Sequence, residues 1–301
     1  MSAQNGNPFI TIVLPVRNRE ATLQRAIESV LAQTYRNFEL IVVDDASTDA
    51  TPRVIDSIDD PRIRTIRLDE PGGAPAARNV GIELGRGEWF AFQDSDDIWY
   101  VEKLAKQVQA LEGASPKAGV CVCSLRQLVF GKSHRVLHGE GEVESAEVLH
   151  RIVNGAGYPT VGLLVKHEAL ERSGTFDTAL PRLQDYELTL RLAMDWNFVF
   201  VPDVLLDAIF MSDSVSADAD RFVRALEIVF DKHAEVFESD RRGKSHWLFR
   251  AGKHLAEAGQ IKRSIGYAGR AWRVYPGNLK APVLIVLAAT RTYPLFRRIK
   301  G

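Results

Sequence analysis

Apolar runs that do not alternate with polar residues recur through the first third of the chain. Phe9–Leu14 (FITIVL), Phe38–Val43 and Trp89–Phe92 read as strands buried on both faces, with another strand at Arg62–Leu68. Amphipathic stretches separate them. Leu23, Ala26, Ile27, Val30 and Leu31 follow the i, i+3, i+4, i+7, i+8 spacing of a helix that Asn18 can cap. Ser47, Thr48 and Asp49 start a second helix through Ile58. Ala76–Leu84 makes a third, entered through the Pro71-Gly72-Gly73 turn and ended by Gly85. A fourth carries Val101, Leu104, Ala105, Val108 and Leu111 on one face. Strand alternating with helix in this way predicts an α/β fold, a doubly wound, mostly parallel sheet of Rossmann-like type covered on both sides.

Further along, Val120–Val136 reads as one or two strands, Ala146–Val153 as a helix and Val161–Val165 as a strand. Helices follow at His167–Ser173 and Gln184–Met194, then strands at Phe198–Val201 and Val204–Phe210. From Asp218 the pattern is helical. Phe222, Leu226, Val229, Phe230, His233 and Phe237 form one stripe, with further helices over roughly 244–258, 261–274 and 279–297. The expected organisation is a domain over 1–216, in halves 8–115 and 116–216, with a helical extension over 217–301.

Charge sharpens that boundary. The 301 residues carry a net charge of −1, yet from Arg241 onward 14 Lys/Arg face a single acid, Glu257. A tail of +13 on a body of −14 points to an anionic partner. Ala281–Ala289 is apolar and is followed by Arg291, Arg297, Arg298 and Lys300. It is too short to cross a bilayer, but such a helix suits the surface of an anionic membrane. Packing on the domain, or forming a homodimer, is the competing use. No aromatic–basic platform for nucleic acid stands out. Met1–Asn7 lacks the features of a secretory signal, and Cys121 and Cys123 on one face of a strand read as reduced thiols, so a cytoplasmic protein is expected.

The chemistry gathers where the strands end. In open α/β sheets ligands sit beyond the carboxyl ends, and those ends read Pro15-Val16-Arg17-Asn18, Asp44-Asp45, Asp69–Ala74 and Asp94-Ser95-Asp96-Asp97. Three carboxylates within four residues repel one another. A divalent cation such as Mg²⁺ or Mn²⁺ would remove the repulsion, whereas a solvated acidic turn is the plain alternative. Neither G-x-G-x-x-G nor a P-loop is present. An acidic rim suits a nucleotide diphosphate whose charge is handled by a metal, with carboxylates reading N–H and O–H groups.

LPVRNRE, the Gln33-Thr34-Tyr35 turn, FELIVVDDASTDAT, the segment Gly73…Ala77-Arg78-Asn79-Val80-Gly81 and FQDSDDIW resemble, in order and spacing, glycosyltransferase family 2 of the bacterial surface-polysaccharide type. The resemblance is strong over about 8–115 and looser to about 216. It implies the GT-A fold, a nucleotide-sugar donor and a Mn²⁺ or Mg²⁺ ion. It places Asp96 and Asp97 as metal ligands, with Asp94 structural or on the ribose. It makes Asp45, with Asp44 beside it, the carboxylate that accepts the uracil N–H. Pro15, Val16 and Asn18 would line the base pocket, and Gly73, Arg78 and Asn79 would meet the nucleotide. The plain alternatives are that Asp44 and Asp45 start a turn, Arg78 pairs with a rim acid and Asn79 caps a helix.

Ser173-Gly174-Thr175-Phe176-Asp177 and Leu183-Gln184-Asp185-Tyr186-Glu187-Leu188 are similar to the family's acceptor-side stretch, which makes Asp185 the catalytic base of an inverting enzyme. Its alternative role is a helix cap. Gln184 replaces the usual Glu. The His expected before the final Ser-x-Ser is missing from Phe210–Ser216, leaving Asp213 or Ser214 in its place. The seven histidines present show no ligand spacing. The implied activity moves a sugar from a UDP-sugar to a glycan or lipid-linked acceptor at the inner face of the cell membrane. A nucleotidyltransferase is the first competitor, but it would carry a glycine-rich basic loop where Pro15–Asn18 stands. The second is a catalytically impaired scaffold, which Gln184 and the absent His would suit.

Overall fold

A computed structural model describes residues 7–129, 132–210 and 218–290. β1 (Ile10–Val16), β2 (Phe38–Asp44) and β4 (Trp89–Phe92) are buried at every position, as their unalternating sequences require. β3 (Ile63–Arg67) lies at the sheet edge and is partly exposed. The connecting helices are α1 (Leu23–Leu31), α2 (Thr51–Asp56) and α3 (Ala74–Leu84), with α4 (Lys103–Leu111) after β4. α1 buries Leu23, Ala26, Ile27 and Val30, four of the five positions on the predicted stripe.

The strand order begins β3-β2-β1-β4, all parallel, so the order reverses between β1 and β4. That is the switch point at which a cleft opens in a doubly wound sheet. Register aligns the ends into one rim. Val16 lies beside Asp44, Asp44 beside Arg67, and Val13 beside Phe92, the last residue of β4.

The sheet continues through β9 (Leu163–Lys166), antiparallel to both β4 and β6 (Ala118–Val129), and then β10 (Asn197–Phe210), parallel to β6. β7 (Lys132–Val136) pairs with β6, so the Val120–Val136 run is two strands. The two strands expected across 198–210 are one. Its register shifts around Val204, next to Pro202, which has no N–H for the ladder. β5 (Ile98–Trp99) and β8 (Gly141–Val143) also pair with β10 and are too short to leave a pattern in the sequence. Cys121 and Cys123 are buried free thiols, and burial pushes both up from the ordinary thiol range.

The chain divides into two compact units. The first, residues 1–148, 158–178 and 188–213, holds the sheet. The second gathers residues 149–157 and 179–187 with 214–301. It contains α8 (Ala219–Lys232), α9 (Ala234–Ser239), α10 (Arg241–Glu257), α11 (Ile261–Val274) and α12 (Lys280–Ala289). Within this unit the Trp247 indole N–H donates to the Val153 carbonyl at 3.0 Å, and the Asn154 amide to Asp240 at 2.7 Å. Leu279, Val283 and Val286, at helical spacing, are exposed along α12. Among the described residues no helix is long and apolar enough to cross a membrane. The four basic residues expected after α12 lie outside the described residues.

α3 crosses β1 at Gly81, where a Cβ would lie 2.3 Å from Val13 Cγ1. Gly81→Val is expected to lower the unfolding free energy by about 1–3 kcal/mol in a denaturant titration. Gly266 of α11 faces open space. Gly266→Ala should instead raise the unfolding free energy by about 0.5–1 kcal/mol.

Candidate active site

The rim is tied together by its own backbone. Beyond β1, Asn18 sits in the left-handed region (φ 50°), which Asn tolerates. Its Oδ1 accepts the Thr48 N–H at 2.8 Å, and its own N–H donates to Ser47 Oγ at 3.0 Å. The Asp45 N–H donates to the Val16 carbonyl at 2.8 Å, carrying the ladder one step past Asp44. Ala46 follows at φ 54°, a strained value for a residue with a Cβ.

Asp44 and Asp45 divide the work. Asp44 is buried; its Oδ1 accepts the Ser47 N–H at 3.0 Å, and its Oδ2 has no hydrogen-bond partner among the described residues, with Arg67 Nε 3.8 Å away. Asp45 is 3% exposed and binds the Gly72 and Gly73 N–H groups, one on each oxygen, at 2.6 and 2.9 Å. Gly73 needs its left-handed φ of 82° to turn the chain into α3, so Asp45 holds the loop that starts that helix. Arg17, which the sequence reading did not single out, reaches to 4.0 Å from Asp45.

The acidic turn after β4 separates into levels. Asp94 and Asp96 are partly exposed, whereas Asp97 is 4% exposed. The Asp97 Oδ1 accepts the Ile209 N–H of β10 at 2.8 Å, and the Gln93 amide donates to the Asp97 carbonyl at 2.8 Å. Burial, and then the charge of Asp94, hold the Asp97 carboxyl well above the usual range, with Asp96 adding to the push. Asp97 thus braces the turn from below. Asp94 pairs with the buried Arg78 at 2.5 Å, so the rim-acid alternative for Arg78 is what forms. The Arg78 guanidinium also lies 5.4 Å from the Phe176 ring centroid.

Among the described residues no three of His, Cys, Asp and Glu converge on a cation. The ions expected at this turn, Mg²⁺ or Mn²⁺, need fewer protein ligands than that. Such ions are commonly bound through one or two carboxylates and complete their shell with water and substrate phosphate oxygens. Two partly exposed carboxylates on one turn, Asp94 and Asp96, fit that chemistry.

Asn79 is held by the backbone of Phe176. Its amide donates to the Phe176 carbonyl at 2.8 Å, and its Oδ1 accepts the Phe176 N–H at 2.9 Å. The Phe176 ring stands edge-on to Phe92 at 5.3 Å. Arg191 donates to the carbonyls of Ser173, Gly174 and Thr175, closing the end of α6 (His167–Ser173). The Gly-x-Phe-Asp stretch is thereby clamped, a role that composition and spacing did not reveal.

Asp185 belongs to the second unit, in the first turn of α7 (Gln184–Asp195). Leu183, just before the helix, has φ 66°, the third non-glycine residue in the left-handed region. The Gln184 amide donates to the Leu180 carbonyl at 3.0 Å. Glu187 is fully buried and is met by Lys232 at 2.8 Å and His233 at 3.0 Å. A cavity of about 520 Å³ in the first unit, lined by Lys117, Glu168, Arg172 and Trp196, lies at the amino ends of β6 and β10, the wrong edge for this chemistry. Met211–Ser216, with Asp213 and Ser214, lie outside the described residues.

Comparison with known proteins gives the family and the fold. The family model for glycosyltransferase family 2 matches residues 11–172. The chain belongs to that family. An uncharacterized glycosyltransferase of Rickettsia typhi is 29% identical over 215 residues, 68% of this chain and 65% of its own length. The Escherichia coli UDP-Glc:alpha-D-GlcNAc-diphosphoundecaprenol beta-1,3-glucosyltransferase WfaP is 39% identical over 104 residues, 35% of this chain and 41% of its own. The chain therefore spans less than two thirds of the length of these curated relatives. Among solved structures, S. aureus TarS in complex with UDP-GlcNAc has a TM-score of 0.70 at 17% identity, over 96% of this chain and 89% of that one. The mannosyltransferase PcManGT of Pyrobaculum calidifontis, in complex with GDP-Man and Mn²⁺, has 0.62 at 20%, over 96% and 83%. The GT-A fold expected for this family 2 member is the fold observed.

The buried Asp97 acceptor gives a stability test. Asp97→Ala leaves the Ile209 N–H without its partner and should cost about 1–3 kcal/mol of unfolding free energy. Asp97→Asn keeps an acceptor and removes a disfavoured charge, so urea titration should show a clearly smaller loss.

Proposed function

We propose that this family 2 protein is an inverting, metal-dependent glycosyltransferase that moves a sugar from a UDP-sugar to a hydroxyl of a lipid-linked glycan. The observation that carries it is the gathering of Asp44, Asp45, the Gly72-Gly73 turn and the Asp94–Asp96 turn on one rim at the β1/β4 switch point. Pro15, Val16 and Asn18 form the wall of the base pocket. Each Asp45 oxygen keeps a second acceptor direction for the uracil N–H after binding its glycine amide. Arg78 holds Asp94 in place from behind. Asp96 is the leading metal ligand; Asp94 joins it in place of the expected Asp97, whose buried carboxylate accepts the Ile209 N–H and supports the pair from below.

When bound, Mn²⁺ or Mg²⁺ supplies charge neutralisation for the leaving diphosphate. Asp185 takes the proton of the acceptor hydroxyl as its oxygen bonds to the anomeric carbon and the bond to the diphosphate breaks. The proton ends on the Asp185 carboxylate and the electron pair on the nucleotide diphosphate. The catalytic groups all fall within 1–216. The helices of 217–301 serve approach to the acceptor, with Leu279, Val283 and Val286 resting on an anionic membrane at its cytoplasmic face. Support comes from the UDP-GlcNAc bound by TarS, the Mn²⁺ bound by PcManGT and the diphosphoundecaprenol acceptor in the name of WfaP.

A thermal-shift screen of nucleotide-sugars with Mn²⁺ tests the donor, since a ligand stabilises the state it binds. A UDP-sugar should raise the melting temperature in wild type and Asp185→Ala but not in Asp96→Ala. Asp185→Ala should lower transfer by about 10²–10⁴-fold. Near wild-type transfer by that variant would remove Asp185 as the base. Sedimentation with phosphatidylglycerol vesicles checks the membrane contact. Val283→Glu with Val286→Glu should release the protein into the supernatant, and an unchanged distribution accompanied by a shift in oligomeric state would assign the stripe to a homodimer instead.

A further inference from the structure

Within the second unit, two arginines converge on an aromatic floor beside Asp185. The Arg182 guanidinium lies 5.1 Å and that of Arg250 5.8 Å from the Phe222 ring centroid, and Arg250 also lies 4.5 Å from the Trp247 ring. Arg250 makes no hydrogen bond or ion pair with any described residue, although it is substantially buried. Arg182 has one long contact, 3.5 Å, to the Asp218 carbonyl. Two guanidiniums on one ring, neither ion-paired with a carboxylate of the described residues, repel. Each is a planar fork of donors suited to phosphate oxygens. The surroundings bear out the positive field. Burial depresses Arg182, and Arg250 then depresses it further. Burial holds His254 down to about 4, with Arg182 and Arg250 adding to it, and burial and then Arg250 lower His246. The one carboxylate acting favourably on Arg182 from its own turn is Asp185, followed by Asp218.

We propose that Arg182 and Arg250 bind the diphosphate of a lipid-linked acceptor, with Phe222 and Trp247 as the apolar support beneath it. This deepens, and rests on, the acceptor reading given above. It makes Arg182 and Arg250 the residues that select a diphosphate-bearing acceptor and bring its sugar to Asp185 in the same unit. An arginine pair placed only for packing on Phe222 and Trp247 would leave binding indifferent to the phosphates.

The probe is farnesyl diphosphate, titrated calorimetrically into the full chain in EDTA, which leaves the rim carboxylates without a cation to attract a diphosphate. Wild type should bind it, Arg182→Gln and Arg250→Gln should each weaken binding tenfold or more, and Arg250→Lys should recover part of the loss. Should Arg250→Gln fail to fold, Arg182→Gln and Arg250→Lys carry the test. Affinity unchanged in the glutamine variants overturns the proposal. Inorganic pyrophosphate separates the sources of the anion: binding at least tenfold weaker than farnesyl diphosphate supports a lipid-linked acceptor, and equal binding reassigns the site to soluble anions and overturns it. UDP binding with Mn²⁺, measured on the same proteins, distinguishes the two levels of inference. Wild type that binds farnesyl diphosphate through these arginines but no UDP would sink the transferase reading and leave the anion site. Normal UDP binding with arginine-independent diphosphate binding would do the reverse.

Discussion

Everything at the rim hangs on the double parallel pairing of β1. Held by β2 on one side and β4 on the other, it is buried along its whole length. Parallel strands need crossover helices, and those helices cover both faces of the sheet. Polar chemistry then has one place to go, the strand ends. The price is a crowd of carboxylates in a confined space, and the chain answers four of them with a donor. Asp45 has two glycine amides, Asp44 the Ser47 amide, Asp94 the Arg78 guanidinium and Asp97 the Ile209 amide. The rim is fixed in place by these bonds, so a ligand bound there would find little left to order.

Backbone strain marks the same places. Asn18 and Ala46 adopt left-handed conformations on the rim, and Leu183 does so at the entrance to α7. A residue held there against its preference persists when the contacts around it over-determine its position. Asn18 shows how, with its backbone and side chain both bonded to the Ser47-Thr48 turn.

The parallel half of the fold was legible because a strand buried on both faces writes itself as an unbroken apolar run, and the crossover helices keep a clean periodicity. The motifs at the strand ends were legible for the same reason: the ends could be counted. What could not be read was depth. Asp94, Asp96 and Asp97 look alike in sequence, and Asp97 is drawn under by the Ile209 N–H, 112 residues away. Asn79 stands in a nucleotide-facing motif, and its amide is also engaged by the backbone of Phe176, 97 residues on, a partner that spacing does not show. Arg182 and Arg250 carry no spacing signal, since a shared ring at Phe222 is what relates them. β5 and β8 escaped because strands of two or three residues hold no period. The tail's basic excess was plain, but the place where one of its charges, Arg250, meets Arg182 depends on how the helices pack.

The second compact unit is assembled from three separated stretches of chain, and this has a consequence for the order in which the protein is made. Residues 149–157 supply the Val153 carbonyl that Trp247 requires and the wall on which Gly243 closes, where a Cβ would come within 2.4 Å of Val153, and residues 179–187 supply Tyr186. Both leave the ribosome well before α10 and α11 exist. At roughly 5–20 residues per second, the hundred or so residues still to come impose a wait of about 5–20 s. During that interval Tyr186, buried against Trp247 in the finished unit, has no partner ring. The helices of the tail therefore complete a unit whose first pieces were laid down between the strands of the sheet.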